Sequence, residues 1–440
     1  MEPTHRTNLV CGCSQLRGDV VIPGSKSHTI RAVAIASLAE GESFIERPLE
    51  SEDARASIVA YRALGATIEI GSDAWRVRGF GGVPQAPDNV IDVGNSGTTM
   101  RIATGSCSLL RAGAAVLTGD DQIRRRPCGP VAKSLTDLGA KVWSTRDNGC
   151  PPMVVEGRLR GGNTTIEAVS SQYLTSLLMA APLADGDTTI DVALLNEGPY
   201  VEMTLDWLRR QGIVVEQEGT TPGKDLRYHV RGGQRYLPVN RPIPADWSTA
   251  TFFLAAGALG DNAIRVQGLD LSDTQGDRAV LDYVRRLGAR VVVDADGILV
   301  QANDLVGCEF DLNATPDALP MMAVLGCFAK GETRLVNVPQ ARLKETDRIA
   351  VMRQELQKLG ATIEELPDGL VIKQSTLRGG HVEGHDDHRV VMALAIAGAH
   401  MDGVTTIHGS DAMAVTYPGF VDAVTALGGA VKPVHAGVNT

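Results

Sequence analysis

Gly331-Glu-Thr-Arg-Leu335 is the stretch that decides the fold, because similar segments recur along the whole chain. Each segment begins with glycine and continues into a short run that is typical of a β-strand. The starting glycines of successive segments lie 71 to 74 residues apart. The other five segments are Gly41-Glu-Ser-Phe-Ile45, Gly113-Ala-Ala-Val-Leu117, Gly186-Asp-Thr-Thr-Ile190, Gly260-Asp-Asn-Ala-Ile264 and Gly403-Val-Thr-Thr-Ile407. This period indicates that one supersecondary unit is repeated six times.

A second marker, Leu359-Gly360-Ala361, recurs in phase and indicates where an amphipathic helix such as Ile349–Leu359 ends at a C-capping glycine. Its counterparts are Leu64-Gly65-Ala66, Leu138-Gly139-Ala140, Gln211-Gly212, Leu287-Gly288-Ala289 and Leu427-Gly428. Each repeat opens with a segment such as His388–Ala399, which is apolar on every side and predicts a buried helix. Two strands joined by a turn, such as Arg290–Val293 and Ile298–Gln301, close each α-β-α-β-β unit.

At 440 residues the chain is too long for one hydrophobic core, so the repeats predict an α/β fold of two domains. Each domain is expected to hold three repeated α/β units around buried parallel helices, an inside-out α/β barrel. The upper domain is placed at residues 24–240 and the lower domain at residues 1–23 and 241–440. Pro23-Gly24 and the Pro-rich stretch 236–244 are interpreted as the two crossings. The active site is expected in the interdomain cleft.

The composition limits the classes of partner. With 43% hydrophobic and 21% charged residues, the chain has the composition of an ordinary globular protein. Its formal net charge of −10 argues against nucleic acid or an anionic membrane as the main partner, so an anionic ligand must meet a local cluster of basic residues. The sequence contains neither a recognisable signal peptide nor an apolar run that could span a bilayer, which predicts a cytoplasmic protein.

Polar and basic residues stand just ahead of each buried helix. A helix N-terminus offers unpaired N–H groups and a partial positive charge, so these positions are suited to anions. Ser, Thr, Asn and Asp are equally typical of N-caps, but Lys26, Gln172 and Arg389 are not. The six groups are Ser25-Lys26-Ser27, Asn95-Ser96-Gly97-Thr98, Ser170-Ser171-Gln172, Asp246-Trp247-Ser248, Pro316-Asp317 and Asp386-Asp387-His388-Arg389.

Two polar loops add further cations: Arg124-Arg125-Arg126-Pro127 and the stretch 342–348, Arg-Leu-Lys-Glu-Thr-Asp-Arg. A triple arginine is usually a solvated surface run, and the second loop is also typical of i,i+4 ion pairs on an exposed helix. Together with the helix starts, however, the loops indicate a site for two anions, because guanidinium groups bind carboxylate and phosphate through two parallel hydrogen bonds.

These motifs make the sequence similar to the 5-enolpyruvylshikimate-3-phosphate synthase family of enolpyruvyl transferases, the target of glyphosate. The matching motifs occur in family order along nearly the whole chain. They are Pro23-Gly-Ser-Lys-Ser27 with Arg31, Gly94-Asn-Ser-Gly-Thr98 with Arg101, Thr118-Gly-Asp120 with Arg126-Pro127, Ser170-Ser-Gln172, Pro199-Tyr200, Pro316-Asp317, Arg342-Leu-Lys-Glu-Thr-Asp-Arg348 and Asp387-His-Arg389. The resemblance implies transfer of the enolpyruvyl group of phosphoenolpyruvate to the 5-hydroxyl of shikimate 3-phosphate, in the shikimate pathway of chorismate and aromatic amino-acid biosynthesis.

The resemblance also implies roles for individual residues. Asp317 would take the proton from the attacking hydroxyl, Glu345 would deliver or remove the proton at the methylene carbon, and Lys26 is the third catalytic residue. The residues that bind phosphoenolpyruvate would be Lys26, Asn95, Gly97, Arg126, Gln172, Arg348, His388 and Arg389. The residues that bind shikimate 3-phosphate would be Lys26, Ser27, Arg31, Ser170, Ser171, Gln172, Tyr200, Asp317 and Lys344. No cofactor or metal is implied, and a monomer is expected.

Four positions depart from the family pattern. Glu197-Gly198 stands where a serine and a basic residue usually precede Pro-Tyr, and Val415 stands where a lysine is common. Gln340 replaces a frequent asparagine, and Ile102 a frequent proline. Glu197 is the least expected of the four, because its negative charge would oppose the phosphate of the acceptor.

Three alternatives stay open. An enolpyruvyl transferase for another alcohol, such as a UDP-sugar, typically has Lys-Asn and a loop cysteine where this chain has Lys26-Ser27 and Asp121. A non-catalytic binding paralogue is disfavoured because Lys26, Asp317 and Glu345 are all present.

The third alternative is a metal site. It would use His381, His385 and His388 together with Asp386 and Asp387. The spacing of these residues is loose, no helix brings all three histidines together, and the neighbouring arginine would repel a cation.

Overall fold

A computed structural model describes residues 7–435; residues 1–6 and 436–440, which the predicted lower domain includes, lie outside the described part of the chain. Within residues 7–435 no helix is long and apolar enough to cross a membrane. The α-helices of this part are α1 (Lys26–Leu38), α2 (Glu52–Ala63), α3 (Gly97–Cys107), α4 (Gly129–Asp137), α5 (Ser171–Ala180), α6 (Gly198–Arg210), α7 (Trp247–Gly257), α8 (Val280–Leu287), α9 (Leu319–Phe328), α10 (Arg348–Lys358), α11 (His388–Gly398) and α12 (Phe420–Ala426).

The strands are numbered in the same way along the described residues. They are β1 (Thr7–Gly12), β2 (Arg17–Val21), β3 (Glu42–Glu46), β4 (Thr67–Ile70), β5 (Ala74–Arg78), β6 (Ile91–Asp92), β7 (Leu109–Thr118), β8 (Lys141–Ser144), β9 (Met153–Arg158), β10 (Gly162–Ala168), β11 (Thr188–Leu195), β12 (Val215–Glu218), β13 (Arg227–Val230), β14 (Asn240–Pro242), β15 (Ala263–Gln267), β16 (Arg290–Asp294), β17 (Gly297–Gln301), β18 (Glu309–Asp311), β19 (Glu332–Val336), β20 (Thr362–Leu366), β21 (Gly369–Lys373), β22 (His381–Glu383), β23 (Val404–His408) and β24 (Ala430–His435).

The strands form six four-stranded sheets, and all six have the same arrangement. Their strand orders are β14-β3-β5-β4, β6-β7-β9-β8, β10-β11-β13-β12, β2-β15-β17-β16, β18-β19-β21-β20 and β22-β23-β1-β24. In every sheet the first two strands of this order run parallel, and each later neighbour is antiparallel. In all six sheets the second strand of this order is formed by the glycine-initiated segment of its repeat. The prediction of six repeated α/β units is therefore confirmed.

The N-terminal segment completes two sheets of distant repeats. β2, predicted as a strand over Gly18–Ile22, runs parallel to β15. β1, which the sequence did not predict, lies between β23 and β24 and buries Leu9 and Cys11 completely. It takes the place of a strand that follows the amphipathic helix in the other five units.

One helix of each repeat is buried along all or nearly all of its length, as predicted. α7 is a clear example, because every residue from Trp247 to Gly257 is buried. Close packing between such helices depends on small residues. At Gly105 of α3, an added Cβ would lie only 2.8 Å from the carbonyl oxygen of Ser176 in α5. The buried helices thus carry their N-termini, with the polar groups ahead of them, on rigid elements.

The described chain divides into two compact units. One unit is Gly24–Pro244, and the other consists of the described residues up to Pro23 and from Ala245 onward. The second crossing lies four residues after the predicted boundary at residue 240, because β14 still pairs in parallel with β3 of the first unit. We call Gly24–Pro244 the α1–α6 unit and the other the α7–α12 unit.

Candidate active site

Arg348, the first residue of α10, is the centre of the candidate site in the α7–α12 unit. Its side chain is buried, and each of its nitrogens donates to a carboxylate. Nε and Nη2 bind Asp387 at 2.8 and 3.1 Å, Nη1 binds Asp317 at 2.7 Å, and Nη2 binds Glu345 at 2.7 Å. Burial by itself would lower the pKa of Arg348, but the three carboxylates raise it above its ordinary value. One permanent cation therefore positions both carboxylates that are expected to move protons.

Asp317 lies where three cations meet. Lys344 Nζ is 3.7 Å from its Oδ1, and Arg389 Nη2 is 3.1 Å from its Oδ2, in addition to the bond from Arg348. Asp317 precedes α9, whereas Arg389 is in the first turn of α11, so the contact brings the N-termini of these two buried helices together. The Asp317 side chain is 16% exposed, which leaves the carboxylate accessible from solvent.

Asp387 links the start of α11 to this cluster. Its side chain caps the helix by accepting a hydrogen bond from the Arg389 N–H at 2.9 Å, and it also accepts from Arg348. Asp387 is 0% exposed and His388 is 1% exposed. In the sequence Asp387 was only part of a motif, because a helix cap is a common role for aspartate. The structure gives it a second role as the main counter-ion of a buried arginine.

In the α1–α6 unit, Lys26 is the first residue of α1. Its Nζ is 2.9 Å from Oδ2 of Asp53, and the two side chains are 13% and 4% exposed. Sequence reasoning missed Asp53, because an acidic residue in the first turn of a helix such as α2 is ordinarily explained by the helix dipole. The partly exposed ammonium group of Lys26 is held in place by this buried carboxylate.

Two arginines pack against the start of α3. Arg101 is 3% exposed and Arg126 is 7% exposed. At Gly97 an added Cβ would lie 2.7 Å from Cζ of Arg126 and would also collide with Arg101, so glycine leaves room for both guanidinium groups. Arg101 donates to Gln172 Oε1 at 3.4 Å, and Gln172 Nε2 donates to Thr98 at 3.2 Å. These contacts bring the starts of α3 and α5 together.

Asn95 and the rest of the triple arginine lie beside this group. Nδ2 of Asn95 donates to Asp120 at 2.6 Å and to Gln122 at 2.7 Å. Of the three arginines, Arg126 is buried, whereas Arg124 pairs with Asp121 in the same loop. The surface-run interpretation thus holds for Arg124 but not for Arg126.

Arg31 of α1 is buried deep in the same unit. It donates to Thr204 Oγ1 at 3.0 Å, to Thr175 Oγ1 at 3.3 Å, and to the carbonyl oxygens of Ser27 and Tyr200 at 3.0 and 3.1 Å. Burial lowers its pKa to about 10, against the opposing effect of nearby acidic groups. This guanidinium joins α1, α5 and α6 around one point.

The start of α5 carries three of the predicted acceptor-binding residues. Ser170 caps the helix by accepting from the Gln172 N–H at 3.4 Å. Ser171 donates both its N–H and its hydroxyl to the carboxylate of Glu197. Glu197 was the least expected of the four departures from the family pattern, and its carboxylate contacts Ser171, a predicted ligand-binding residue.

The other departures from the family pattern are buried. Gln340 is 2% exposed and donates to the carbonyl oxygen of Asn313 at 2.9 Å. Ile102 of α3 is 1% exposed, and Val415 is 7% exposed in the 3₁₀ segment Ser410–Val415.

The histidines of the metal-site alternative face different partners. His381 stacks on His408 with ring centroids 5.5 Å apart, and His385 Nε2 is 2.8 Å from Oε1 of Glu355. His388 is buried at the start of α11. Among the described residues no group of three or more His, Cys, Asp or Glu side chains is arranged to hold a metal ion.

Comparison with known proteins shows which family this chain resembles in sequence and fold. The family model described as EPSP synthase (3-phosphoshikimate 1-carboxyvinyltransferase) matches residues 10–424. A curated 3-phosphoshikimate 1-carboxyvinyltransferase of Ruminiclostridium cellulolyticum is 49% identical over 95% of this chain and 98% of its own length. A relative with the same name from Acetivibrio thermocellus is 51% identical over 94% of this chain and 97% of its own length.

Solved structures agree with these sequence matches. The EPSP synthase of Acinetobacter baumannii is 27% identical, with a TM-score of 0.80 over 98% of this chain and 100% of that one. The enolpyruvyl transferase NikO of Streptomyces tendae is 20% identical and shares the fold, with a TM-score of 0.78 over 99% of this chain and 100% of that one. Because the family model covers nearly the whole described chain and the curated relatives match over almost their full lengths, the chain belongs to the EPSP synthase family.

Proposed function

We propose that this enzyme transfers the enolpyruvyl group of phosphoenolpyruvate to the 5-hydroxyl of shikimate 3-phosphate and releases phosphate. The observation that carries the proposal is the pair of carboxylates, Asp317 and Glu345, held by the buried guanidinium of Arg348. The reaction adds an alcohol across an enol double bond, which requires a base at the hydroxyl and an acid at the methylene carbon. Curated relatives of about half identity bear the name of this activity.

Asp317 suits the role of the base. Its carboxylate is partly exposed, and the cations of Lys344, Arg348 and Arg389 lie within 4 Å of its oxygens. Glu345, the second carboxylate on Arg348, would give its proton to the methylene carbon and take one back when phosphate leaves. The same cations would stabilise the negative charge that develops on the substrates.

The α1–α6 unit supplies the second group of cations. Lys26 and Arg126 would bind phosphoenolpyruvate together with Asn95, Gly97 and Gln172. The set is completed by three residues of the other unit, Arg348, His388 and Arg389. Arg348 already donates hydrogen bonds to three carboxylates, so its main role is to position them.

The acceptor would be bound by residues from both units. Ser27, Arg31 and Tyr200 meet through the hydrogen bonds of Arg31, and Ser170, Ser171 and Gln172 form the start of α5. Lys26, Lys344 and Asp317 would contact the same molecule near its reacting hydroxyl. The interdomain location of the site, the monomeric state and the cytoplasmic location stay predictions.

The test is release of inorganic phosphate from phosphoenolpyruvate with three acceptors in parallel. Shikimate 3-phosphate should support turnover, whereas unphosphorylated shikimate and UDP-N-acetylglucosamine should not. Turnover with the UDP-sugar alone would contradict the proposal in favour of another enolpyruvyl transferase. Binding of both proposed substrates without phosphate release would identify a non-catalytic paralogue.

A further inference from the structure

Glu197 carries a buried carboxylate that contacts the start of α5, the helix whose first residues were expected to bind the acceptor. The residue is 2% exposed and precedes α6 in a left-handed conformation, with φ of 58°. Its Oε2 accepts hydrogen bonds from the hydroxyl of Ser171 at 2.7 Å and from the Ser171 N–H at 3.2 Å. The side chain therefore uses both donors that Ser171 offers.

The chemistry of these donors is that of a phosphate site. A backbone N–H in the first turn of a helix and an adjacent hydroxyl both point toward an anion, and the helix dipole adds a partial positive charge. Ser170 caps α5 only through the Gln172 N–H, whereas the Ser171 N–H and hydroxyl both donate to Glu197. The carboxylate of Glu197 therefore occupies the position at Ser171 that a bound anion would take.

Arg31 supports this description independently. Its guanidinium is 1% exposed, and burial lowers its pKa, whereas Tyr200 and, to a smaller extent, Glu197 act in the opposite direction. Geometry also places the two residues near each other, because the Tyr200 N–H donates to the carbonyl oxygen of Glu197 at 3.0 Å and Arg31 donates to the carbonyl oxygen of Tyr200 at 3.1 Å. An incoming phosphate near Ser171 and Arg31 would therefore meet the carboxylate of Glu197.

We propose that Glu197 is a specificity-determining residue whose carboxylate occupies the anion position at Ser171 and has to leave before the acceptor's phosphate can bind there. The proposal rests on the proposed function, because that function makes shikimate 3-phosphate the acceptor. Two anions cannot share the same two donors, and their like charges repel. The apparent affinity for a phosphorylated ligand is therefore reduced by the fraction of molecules in which Glu197 has moved away.

The test compares Glu197→Gln with a matched control, Glu202→Gln. The first change removes the charge and keeps the size of the side chain. Glu202 is on α6 as well, but its side chain is 50% exposed and pairs with Arg209 on the surface. Titration calorimetry with shikimate 3-phosphate, shikimate and inorganic phosphate distinguishes an effect on the whole acceptor from an effect on its phosphate alone.

Glu197→Gln should bind shikimate 3-phosphate and inorganic phosphate about tenfold more tightly, because the competing anion is gone. Affinity for unphosphorylated shikimate should not change, and Glu202→Gln should match the wild type with all three ligands. Equal or weaker binding of both phosphate ligands by a Glu197→Gln variant with a normal melting temperature would overturn the proposal. Glu197 would then be a structural acceptor for the start of α5.

A second variant covers the case in which glutamine does not fold at this position. Glu197→Ser introduces the residue that is usual at this position in the family, and it should show the same gain in phosphate affinity. The inorganic-phosphate titration needs neither turnover nor a particular acceptor. An absence of turnover in the wild type would therefore contradict the proposed function alone, whereas unchanged phosphate affinity in both variants would contradict only the role of Glu197.

Discussion

At the scale of single residues, Asp317 is the group whose loss should affect the reaction most directly. Asp317→Asn keeps the size of the side chain but removes the base, so turnover should fall on the order of a hundredfold or more. Steady-state phosphate release gives the value. Asp304→Asn is the matched control, because Asp304 lies in the same unit, is 80% exposed and pairs with Lys330 at the surface. Near-normal turnover of Asp317→Asn would show that another group takes the proton.

Gly97 allows a second prediction at this scale. Gly97→Ala would place a Cβ 2.7 Å from Cζ of Arg126, so Arg126 and Arg101 would have to move. If Arg126 binds phosphoenolpyruvate, the Michaelis constant for that substrate should rise about tenfold, the cost of roughly one displaced charge contact. The Michaelis constant for the acceptor should change less.

Gly212→Ala serves as the control for the Gly97 variant. Gly212 lies in the same unit just after α6, has φ of 70°, and an added Cβ there would meet nothing within 4 Å. Its backbone strain should lower stability without a selective effect on phosphoenolpyruvate. A Gly97→Ala enzyme with an unaltered Michaelis constant would place phosphoenolpyruvate away from Arg126.

At the scale of elements, a buried carboxylate fixes the loop that leads into α11. Glu355 of α10 is 0% exposed and accepts from Lys358 Nζ, from His385 Nε2 at 2.8 Å and from the Glu383 N–H at 2.9 Å. Residues 385 and 386 of this loop have positive φ. Because Asp387 follows directly, Glu355 acts on the candidate site as a positioning residue.

The pH dependence of stability should reveal this contact. Burial alone would raise the pKa of Glu355, but hydrogen bonds from His385, Lys358 and the Glu383 N–H lower it to about 2. A carboxyl whose pKa is lowered by folding stabilises the protein above its unfolded pKa, and the contribution disappears as the pH falls toward the folded pKa. The difference in free energy of unfolding between wild type and Glu355→Gln should therefore be about 2 kcal/mol above roughly pH 5 and shrink toward pH 2.

Urea unfolding at several pH values measures that difference. Glu364→Gln is the control, since Glu364 is exposed in β20 and should give a small difference that does not depend on pH. If the difference in free energy of unfolding between wild type and Glu355→Gln did not change with pH, the variant would have lost packing rather than a charge interaction.

The elements themselves were largely predictable because their signals are local. The glycine-initiated strands and the helix-ending glycines recur in sequence, and the structure places α10 at Arg348–Lys358 where Ile349–Leu359 was predicted. β1 was missed because its pairing with β23 joins residues nearly 400 positions apart. Asp53 and Glu355 were missed for a similar reason: each acts through a partner on another element, and a lone acidic residue on a helix carries no signal of that contact.

At the scale of the whole molecule, the proposed catalytic and binding residues are divided between the two compact units. Lys26 and Arg126 belong to the α1–α6 unit, whereas Asp317, Glu345 and Arg348 belong to the α7–α12 unit. Within residues 7–435 the chain passes between the units at Pro23-Gly24 and Pro244-Ala245. Lys26→Met and Asp317→Asn should therefore each lower turnover on the order of a hundredfold or more, although they alter different units.

The same division predicts that the ligands change the shape of the protein. If phosphoenolpyruvate and the acceptor each contact cations of both units, their binding should favour a more compact conformation, as ligands do when their contacts complete a site. Small-angle scattering should show a smaller radius of gyration with shikimate 3-phosphate plus an unreactive phosphoenolpyruvate analogue than without ligands. Lys26→Met should weaken this response, because one of the cations that both ligands are expected to share is missing. A radius of gyration that stays constant while calorimetry shows both ligands bound would contradict ligand-driven closure.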